Sequence, residues 1–444
     1  MITRIEIDGF KTFDKFGLDL RPFTAIVGPN ASGKSNLFDA LRLISALAET
    51  DIRSAMQDLR GEPEELFRQT LEGLSDHMSF AVEVFLDQQG IDDFGRTFRI
   101  PAQRLRYEIE LGLSDGSDGS PRGVFVRNEL CRPLARYEDR AEYLRPLKPN
   151  YNARVAPFIR RNDSGDSIEV RQDGRQKRGR PVQYSLREAS RSALSTIATA
   201  EFPHLYALRT LLMETRFLEI NPKAARGAND RFESSTLKSD ASNLAAVLTH
   251  LKNETGTELR PNGVLSDIAL DLTALIPAVA DLLVQTDTNQ RQYSFSVGFS
   301  GNVTFSSRVI SDGTLRLLAL LTVLNDPGRR GTLCFEEPEN GVHEGRIPML
   351  VQFLRDASAL DSKSGSMPFQ VLLNTHSPKV MSALQDVEII AADMVTHVDS
   401  TAGTKSYRTR MRAGVENTPD LLDPELYLVR AEVERLLQNP GDAL

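Results

Sequence analysis

The sequence predicts an α/β fold: a mostly parallel core sheet with helices, an antiparallel β subdomain in the first hundred residues, and an inserted, largely helical middle region. Three observations predict it. An apolar stretch, Thr24-Ala25-Ile26-Val27, runs into a glycine-framed loop and then into a helical pattern, Leu37-Phe38-Asp39-Ala40-Leu41-Arg42-Leu43-Ile44. Further apolar strands at 332–335 and 370–375 are separated by helical sequence. Alternation at Ile5, Ile7 and Phe10 marks strands near the N-terminus.

Residues 1–27 hold two or three strands, with Gly9 at a bend and 16–20 pairing back before Pro22. The helix after the glycine loop runs to about Ala48, and 50–75 is polar and partly helical. Segments 79–86 and 105–111 are strands expected to pair, and 114–121 is a loop. From about 122 to 290 the pattern weakens. Helical periodicity returns at 186–215 and 239–253, where Leu244, Val247, Leu248 and Leu251 form one stripe. The basic run at 171–180 reads either as a contact for a phosphate backbone or as a solvated hairpin tip. Segments 293–299 and 303–305 form a hairpin around Gly301-Asn302, and a capped helix starts after Ser311. A last strand at 387–399 precedes a polar tail, expected to be helical, with Glu416, Asp420, Asp423 and Glu425. The expected divisions are therefore 1–115, an insertion at 116–290, a second lobe at 291–400, and a tail at 401–444.

The 444 residues are 40% hydrophobic and 26% charged, as in an ordinary globular protein. A net charge of −8 excludes a wholly basic nucleic-acid binder and confines any DNA contact to a local patch. Two cysteines, Cys131 and Cys334, make no disulfide framework and have no metal-ligand spacing. The N-terminus reads as a strand rather than a signal peptide, and no apolar run approaches the ~20 residues of a membrane span. A cytoplasmic protein with no membrane partner is expected.

The chemistry is concentrated in a few places. Gly28 to Ser35 fits G-x-x-x-x-G-K-[ST], so Gly28, Pro29, Asn30, Ala31, Ser32, Gly33, Lys34, Ser35 and Asn36 are candidate ligands of a bound nucleotide. Glycines let the backbone wrap phosphate, and the helix N-terminus adds its positive end. Lys34 would reach the β- and γ-phosphates, and Ser35 would hold Mg²⁺. The alternative is a glycine turn between a core strand and a core helix; the flanking segments supply the context that a phosphate loop needs. Glu336-Glu337 sits where a chain leaves a buried strand, the usual place for ligand-binding side chains in an open α/β sheet. Glu336 is placed to hold Mg²⁺ through water and Glu337 to act as general base. The alternative is two surface carboxylates capping the next helix. His376 ends the next apolar strand, within reach of a γ-phosphate, although a lone histidine is more often structural. Ser311 and Gly313 make a second anion-binding corner or merely an N-cap.

In combination these motifs resemble the ABC-type ATPase heads of the SMC/RecF class. The resemblance is closest to the compact bacterial group shared by the overcoming-lysogenization-defect (OLD) nucleases and AAA-type ATPases of antiphage systems. Ile5-Glu6-Ile7-Asp8-Gly9-Phe10-Lys11-Thr12-Phe13 resembles that group's first strand. Gly28 to Ser35 matches its Walker A motif, and Ser311-Asp312-Gly313-Thr314 its signature. Phe335-Glu336-Glu337-Pro338-Glu339-Asn340-Gly341-Val342-His343 matches Walker B and the D-loop, and Thr375-His376-Ser377-Pro378 the switch histidine. The resemblance covers about 1–110 and 290–390, and more loosely Ser239-Asp240-Ala241-Ser242-Asn243-Leu244-Ala245. It implies a P-loop NTPase that uses ATP and Mg²⁺. Two copies would pack head to tail, with ATP between the Walker A of one and Ser311 and Gly313 of the other; binding closes this homodimer and hydrolysis opens it. Glu336 stands where most ABC proteins have Asp, and Asp312 replaces a signature glycine, both as in the compact group. Gln69 is the candidate Q-loop residue, and Lys11 is expected to approach the phosphates. The Toprim acids of OLD nucleases and the coiled coil of SMC proteins are not recognisable, so nuclease activity is not expected. The resemblance implies an ATP-hydrolysing, nucleotide-gated sensor or regulator that controls a separate effector protein, in antiphage defence. The alternative is a RecF-like DNA-repair ATPase that binds duplex DNA.

Overall fold

The computed structural model describes residues 1–70, 73–114, 123–152, 155–173, 181–360, 369–399, 404–415, 423 and 425–438. The chain divides into two compact units. One comprises Met1–Thr215, Leu360–Gln370 and Asp386–Leu444; the other comprises Arg216–Ala359 and Val371–Gln385.

The first unit opens with β1 (Ile2–Asp8) and β2 (Phe16–Asp19), an antiparallel pair, and β3 (Phe23–Val27), which is buried along its whole length. The glycine loop then leads into α1 (Lys34–Leu47), whose apolar face includes Leu37, Leu41, Ile44 and Leu47. Two long strands, β4 (His77–Phe85) and β5 (Arg104–Leu113), pair antiparallel as the alternation predicts. They are followed by β6 (Val124–Pro133), β7 (Ile159–Arg161), β8 (Ser167–Val170) and β9 (Val182–Ser185). Together they form an eight-stranded antiparallel sheet in the order β9-β8-β7-β6-β5-β4-β1-β2. The first part of the expected helical insertion is therefore strand, continuing the N-terminal sheet. The period-two signal is hidden in β6 by a bulge between Val126 and Asn128 and by the inward-facing Glu129. Helix α2 (Pro203–Met213) follows. Residues 174–180 of the basic run lie outside the described residues. Arg171, at its start, donates to the Ala156 carbonyl and lies 5.0 Å from the Phe158 ring centroid.

In the second unit, α3 (Leu244–Thr255) buries the predicted stripe Leu244, Val247, Leu248 and Leu251. Helix α4 (Leu265–Leu275) precedes β10 (Val279–Asp287), β11 (Gln292–Phe299) and β12 (Val303–Ser306). The three-residue β11–β12 loop between Phe299 and Val303 takes left-handed backbone at Gly301 (φ 90°) and Asn302 (φ 60°), the region that glycine and asparagine enter most readily. Helix α5 (Asp312–Asn325) buries a continuous run from Thr314 to Leu324 apart from Arg316, as a helix enclosed on most sides must. Strand β13 (Thr332–Glu336), helix α6 (Ile347–Ala357) and strand β14 (Gln370–Thr375) complete the alternation, and β13 and β14 are neighbours in one sheet.

The chain returns to the first unit with β15 (Ile389–Asp399), parallel to β3 from Ile389↔Ala25 to Ala391↔Val27. The tail is not helical throughout. Residues 404–415 form β16 (Thr404–Val415), antiparallel to β15 with Asp393 opposite Arg410. Arg408, Arg410 and Arg412 make this stretch look solvated, yet they alternate with Thr409 and Met411, which are buried. Asp393, 4% exposed, accepts from Arg410 (2.6 Å) and Arg412 (2.9 Å) and so holds the hairpin's register. Helix α7 (Arg430–Gln438) does form near the end, while Glu416 and Asp420 lie outside the described residues. Among the described residues no helix is long and apolar enough to cross a membrane.

Glu129 makes the first unit sensitive to pH. Its buried carboxylate accepts from the Ala193 and Leu194 amides (2.6 and 2.9 Å) and from the Tyr107 hydroxyl (3.0 Å). Burial outweighs these donors and pushes its pKa up to about 7. A carboxyl raised in the folded state contributes stability that is full below its unfolded value and is lost as pH rises through the folded value. Wild type should therefore lose stability relative to Glu129→Gln between about pH 4.5 and pH 7, as read from melting temperatures of the two proteins across that range.

Candidate active site

The phosphate loop lies wholly in the first unit. Its backbone turns through left-handed conformations at Ala31 (φ 65°) and Gly33 (φ 88°). Gly33 is the N-cap of α1 and supplies no side-chain cap, so the first-turn amides keep their positive end for an anion. A Cβ on Gly28 would collide with the Ala392 carbonyl, and one on Gly33 would collide with the Thr409 side chain. Ser32 is buried and its hydroxyl has no hydrogen-bond partner among the described residues. The Lys34 ammonium lies across the loop and donates to the Gly28 (2.8 Å) and Pro29 (2.7 Å) carbonyls. Ser35 is half-buried, while Asn36 donates to Thr12 Oγ1 at 2.9 Å. A glycine cradle, a helix start without a side-chain cap, a buried hydroxyl with no partner among the described residues and an ammonium laid across the loop all fit a phosphate group.

Two residues expected near this loop have other engagements. Lys11 is ion-paired to Asp39 on α1 at 2.5 Å, within the first unit. Gln69 is exposed in a two-residue ladder, opposite Leu74.

The acidic residues lie in the second unit and are held by its adjacent strand ends. Glu336, the last residue of β13, accepts from Asn374 Nδ2 at 2.9 Å. Glu337 turns sharply out of the strand with φ 50°, and its amide donates to the Asn374 carbonyl at 2.9 Å. Its carboxylate takes Asn340 Nδ2 on one oxygen (2.8 Å) and faces His376 Nδ1 with the other (2.9 Å). Both side chains remain reachable from solvent, Glu337 being 37% exposed and His376 47%. The arrangement suits an exposed carboxylate, aimed by two neighbours, that can take a proton from water. Sequence reasoning gave no role to Asn374, Asn340 or Glu339. Glu339 accepts from Thr375 Oγ1 at 2.6 Å, and burial raises its carboxyl above the usual range. Asn374 and Thr375 acquire these partners from the register of two strands, which no local motif encodes. Glu339 stands in the acidic run at 336–339 and in the 335–343 motif, but neither says that it takes the Thr375 hydroxyl.

Ser311 is the N-cap of α5. Its hydroxyl accepts from the Thr314 amide (3.2 Å) and shares a hydrogen bond with the Thr314 hydroxyl (2.8 Å). Gly313 packs backbone to backbone against Gly341, and a Cβ on Gly313 would lie 2.9 Å from the Gly341 Cα. Arg226 steadies the same corner by donating to the Ile310 carbonyl (2.8 Å) and to Asp312 (2.5 Å). The second unit thus brings Glu336, Glu337 and His376 together, and joins Gly313 to the loop that follows them.

Residues 23–382 match the family described as "AAA domain, putative AbiEii toxin, Type IV TA system", and the chain belongs to that family. It is 52% identical over 44 residues to the chromosome partition protein Smc of Methanocaldococcus jannaschii, which is 10% of this chain and 4% of that protein. It is 43% identical over 58 residues to the structural maintenance of chromosomes protein 4 of Caenorhabditis elegans, 12% of this chain and 4% of that protein. The chain therefore spans about 4% of the length of these curated relatives. Among solved structures it is similar to an Smc head bound to the C-winged helix domain of ScpA, with TM-score 0.49, 13% identity, and coverage of 93% of this chain and 98% of that one. It is also similar to the SMC head domain from Thermotoga maritima, with TM-score 0.39, 12% identity, and coverage of 94% and 99%. The family and the Smc segments place the chain among P-loop ATPases of SMC/ABC type.

The contact between Gly313 and Gly341 makes a firm expectation. Gly341→Ala puts a methyl group into the backbone of Gly313 at a position with φ 91°. Overpacking of this kind costs about 1–3 kcal/mol, so the variant's denaturant midpoint should fall accordingly while Gly345→Ala, whose Cβ would meet only the His343 ring at 3.4 Å, should change it far less.

Proposed function

We propose that this protein is an ATP-hydrolysing, nucleotide-gated homodimer that controls a separate effector, in a defence setting against phage. The observation that carries the nucleotide reading is the uncapped start of α1 within a glycine cradle, with Lys34 poised over it. Lys34 exchanges the Gly28 and Pro29 carbonyls for the β- and γ-phosphates. The backbone amides of 31–36 and the Ser32 hydroxyl hold phosphate oxygens. Ser35, and Glu336 through water, hold Mg²⁺, which when bound neutralises charge on the phosphates. Glu337 accepts the proton of the attacking water. His376 steadies Glu337 and donates to the γ-phosphate, while Asn340 fixes the carboxylate rotamer. Ser311 and Gly313 of one copy cover the ATP of the other, so that binding closes the pair and hydrolysis opens it. The defence setting is supported by the family description, which names a toxin–antitoxin system, and by the resemblance to OLD-like ATPases.

A second reading, a DNA-binding repair ATPase, is favoured by one surface loop of the first unit. In Arg136-Tyr137-Glu138-Asp139-Arg140 the acids turn inward, Glu138 to Arg132 (2.8 Å) and Asp139 to Arg104 (2.7 Å). Arg136 and Arg140 are left exposed beside Tyr137, which is 90% exposed. ATP-dependent, salt-sensitive duplex binding that weakens in Arg136→Ala/Arg140→Ala would favour it.

Light scattering and ATPase assays test the first reading. Lys34→Ala should lose ATP binding. Glu337→Gln should bind ATP, double in mass only with Mg-ATP, and hydrolyse at least about a hundredfold more slowly. Hydrolysis by Glu337→Gln at the wild-type rate would remove Glu337 as the base, and a monomer with ATP bound would remove the gated dimer.

A further inference from the structure

We propose that Thr409, near the C-terminal end of the chain, is a positioning residue of the nucleotide site. Its hydroxyl, acting through Thr12, holds the first turn of α1 in the geometry that binds a nucleoside triphosphate. The proposal rests on the reading of the phosphate loop given above.

Both glycines that frame the loop lie against the β15–β16 hairpin, which is in the same unit. Gly28 meets the Ala392 carbonyl of β15, and Gly33 meets the Thr409 side chain of β16. Gly33 is therefore restricted twice, by its φ of 88° and by the threonine that fills the space where a Cβ would be. Thr409 is 5% exposed. Its hydroxyl shares a 2.6 Å hydrogen bond with the Thr12 hydroxyl, and its amide donates to the Thr12 carbonyl at 2.9 Å. Thr12 Oγ1 in turn accepts from Asn36 Nδ2, at 2.9 Å. A chain of side-chain hydrogen bonds thus runs from β16 through the turn after β1 to the first turn of α1, beside Lys34 and Ser35.

The anchorage of β16 makes this chain a positioning device. Arg410 and Arg412, on either side of Met411, are both drawn to Asp393 on β15, so Thr409 has little freedom to shift along the sheet. Without the Thr409 hydroxyl the Thr12 backbone is still held by the Thr409 amide, but the Thr12 hydroxyl, and Asn36 through it, lose their fixed partner, and the amides of the first turn lose their aim. Phosphate affinity depends on such preorganised donors, and a loosened donor set lowers it without removing any group that touches the ligand.

Thr409→Val keeps the shape and removes the hydroxyl; Thr409→Ser keeps the hydroxyl. Affinity for a fluorescent ATP analogue with Mg²⁺ should fall about tenfold in Thr409→Val, equivalent to about 1.4 kcal/mol, and stay within about twofold of wild type in Thr409→Ser. The nucleotide-free melting temperature of Thr409→Val should stay close to that of wild type, which separates positioning from general stability. Unchanged affinity in Thr409→Val would overturn the proposal. If Thr409→Val does not fold, Thr12→Val gives the same test, since it breaks the same chain at its middle link: an affinity loss supports the proposal and wild-type affinity overturns it. Failure of the wild-type chain itself to bind the analogue would instead overturn the nucleotide reading, so the two failures are distinguishable.

Discussion

A helix cannot satisfy its own first amides, and α1 begins without a side chain to do so. Much of the first unit is arranged around that deficit. Strand β3 is buried along its whole length and delivers the loop from the interior. The left-handed turns at Ala31 and Gly33 bring successive amides inward. The lysine ammonium lies over the loop carbonyls, and the wall behind the glycines comes from β15 and β16. Ser or Asp at position 33 would strain the left-handed backbone there and collide with Thr409, so the conformation that builds the cradle also excludes a side-chain cap. The absence of a cap is thus a local instability kept where phosphate chemistry can use it.

The second unit handles acidic groups by a different physical route. Side chains from one strand end hold those from the next: Asn374 binds Glu336, His376 faces Glu337, and Thr375 donates to Glu339. Burial drives Glu339 toward its neutral form, while the Glu337 side chain keeps access to solvent. Three carboxylates within four residues can coexist because each has a different donor and a different depth. The left-handed backbone at Glu337 separates its direction from that of Glu336, so one faces along the strand end and the other away from it.

Sequence carried this organisation unevenly, for physical reasons. The strands of the first hundred residues are legible because Ile5, Ile7, Phe80, Val82, Ile109 and Leu111 keep a clean period of two. Strand β6 is not, because its bulge shifts the phase and Glu129 takes an inward place that patterning reserves for apolar residues. Strand β16 reads as solvated because arginines stand at 408, 410 and 412; the partner that Arg410 and Arg412 share, Asp393, belongs to another strand. The same division holds at the site. Residues 28–36 and 336–337 are visible as contiguous motifs, since loop and strand-end chemistry is local. Thr409 and Asn374 matter through register and proximity that no spacing in one sequence announces, whereas Thr12 and Asn340 stand inside recognised motifs that do not say what their side chains touch.

The meeting of Gly313 and Gly341 gives the second unit a joint of an unusual kind. Side chains that touch can change rotamer and absorb a displacement, so most packed surfaces have some slack. Two bare backbones in contact have no rotamers to change. A movement of the segment after Glu337 toward α5 therefore finds no rotamer slack at this contact and presses directly on the start of the helix that carries Ser311, as between two gears cut without clearance.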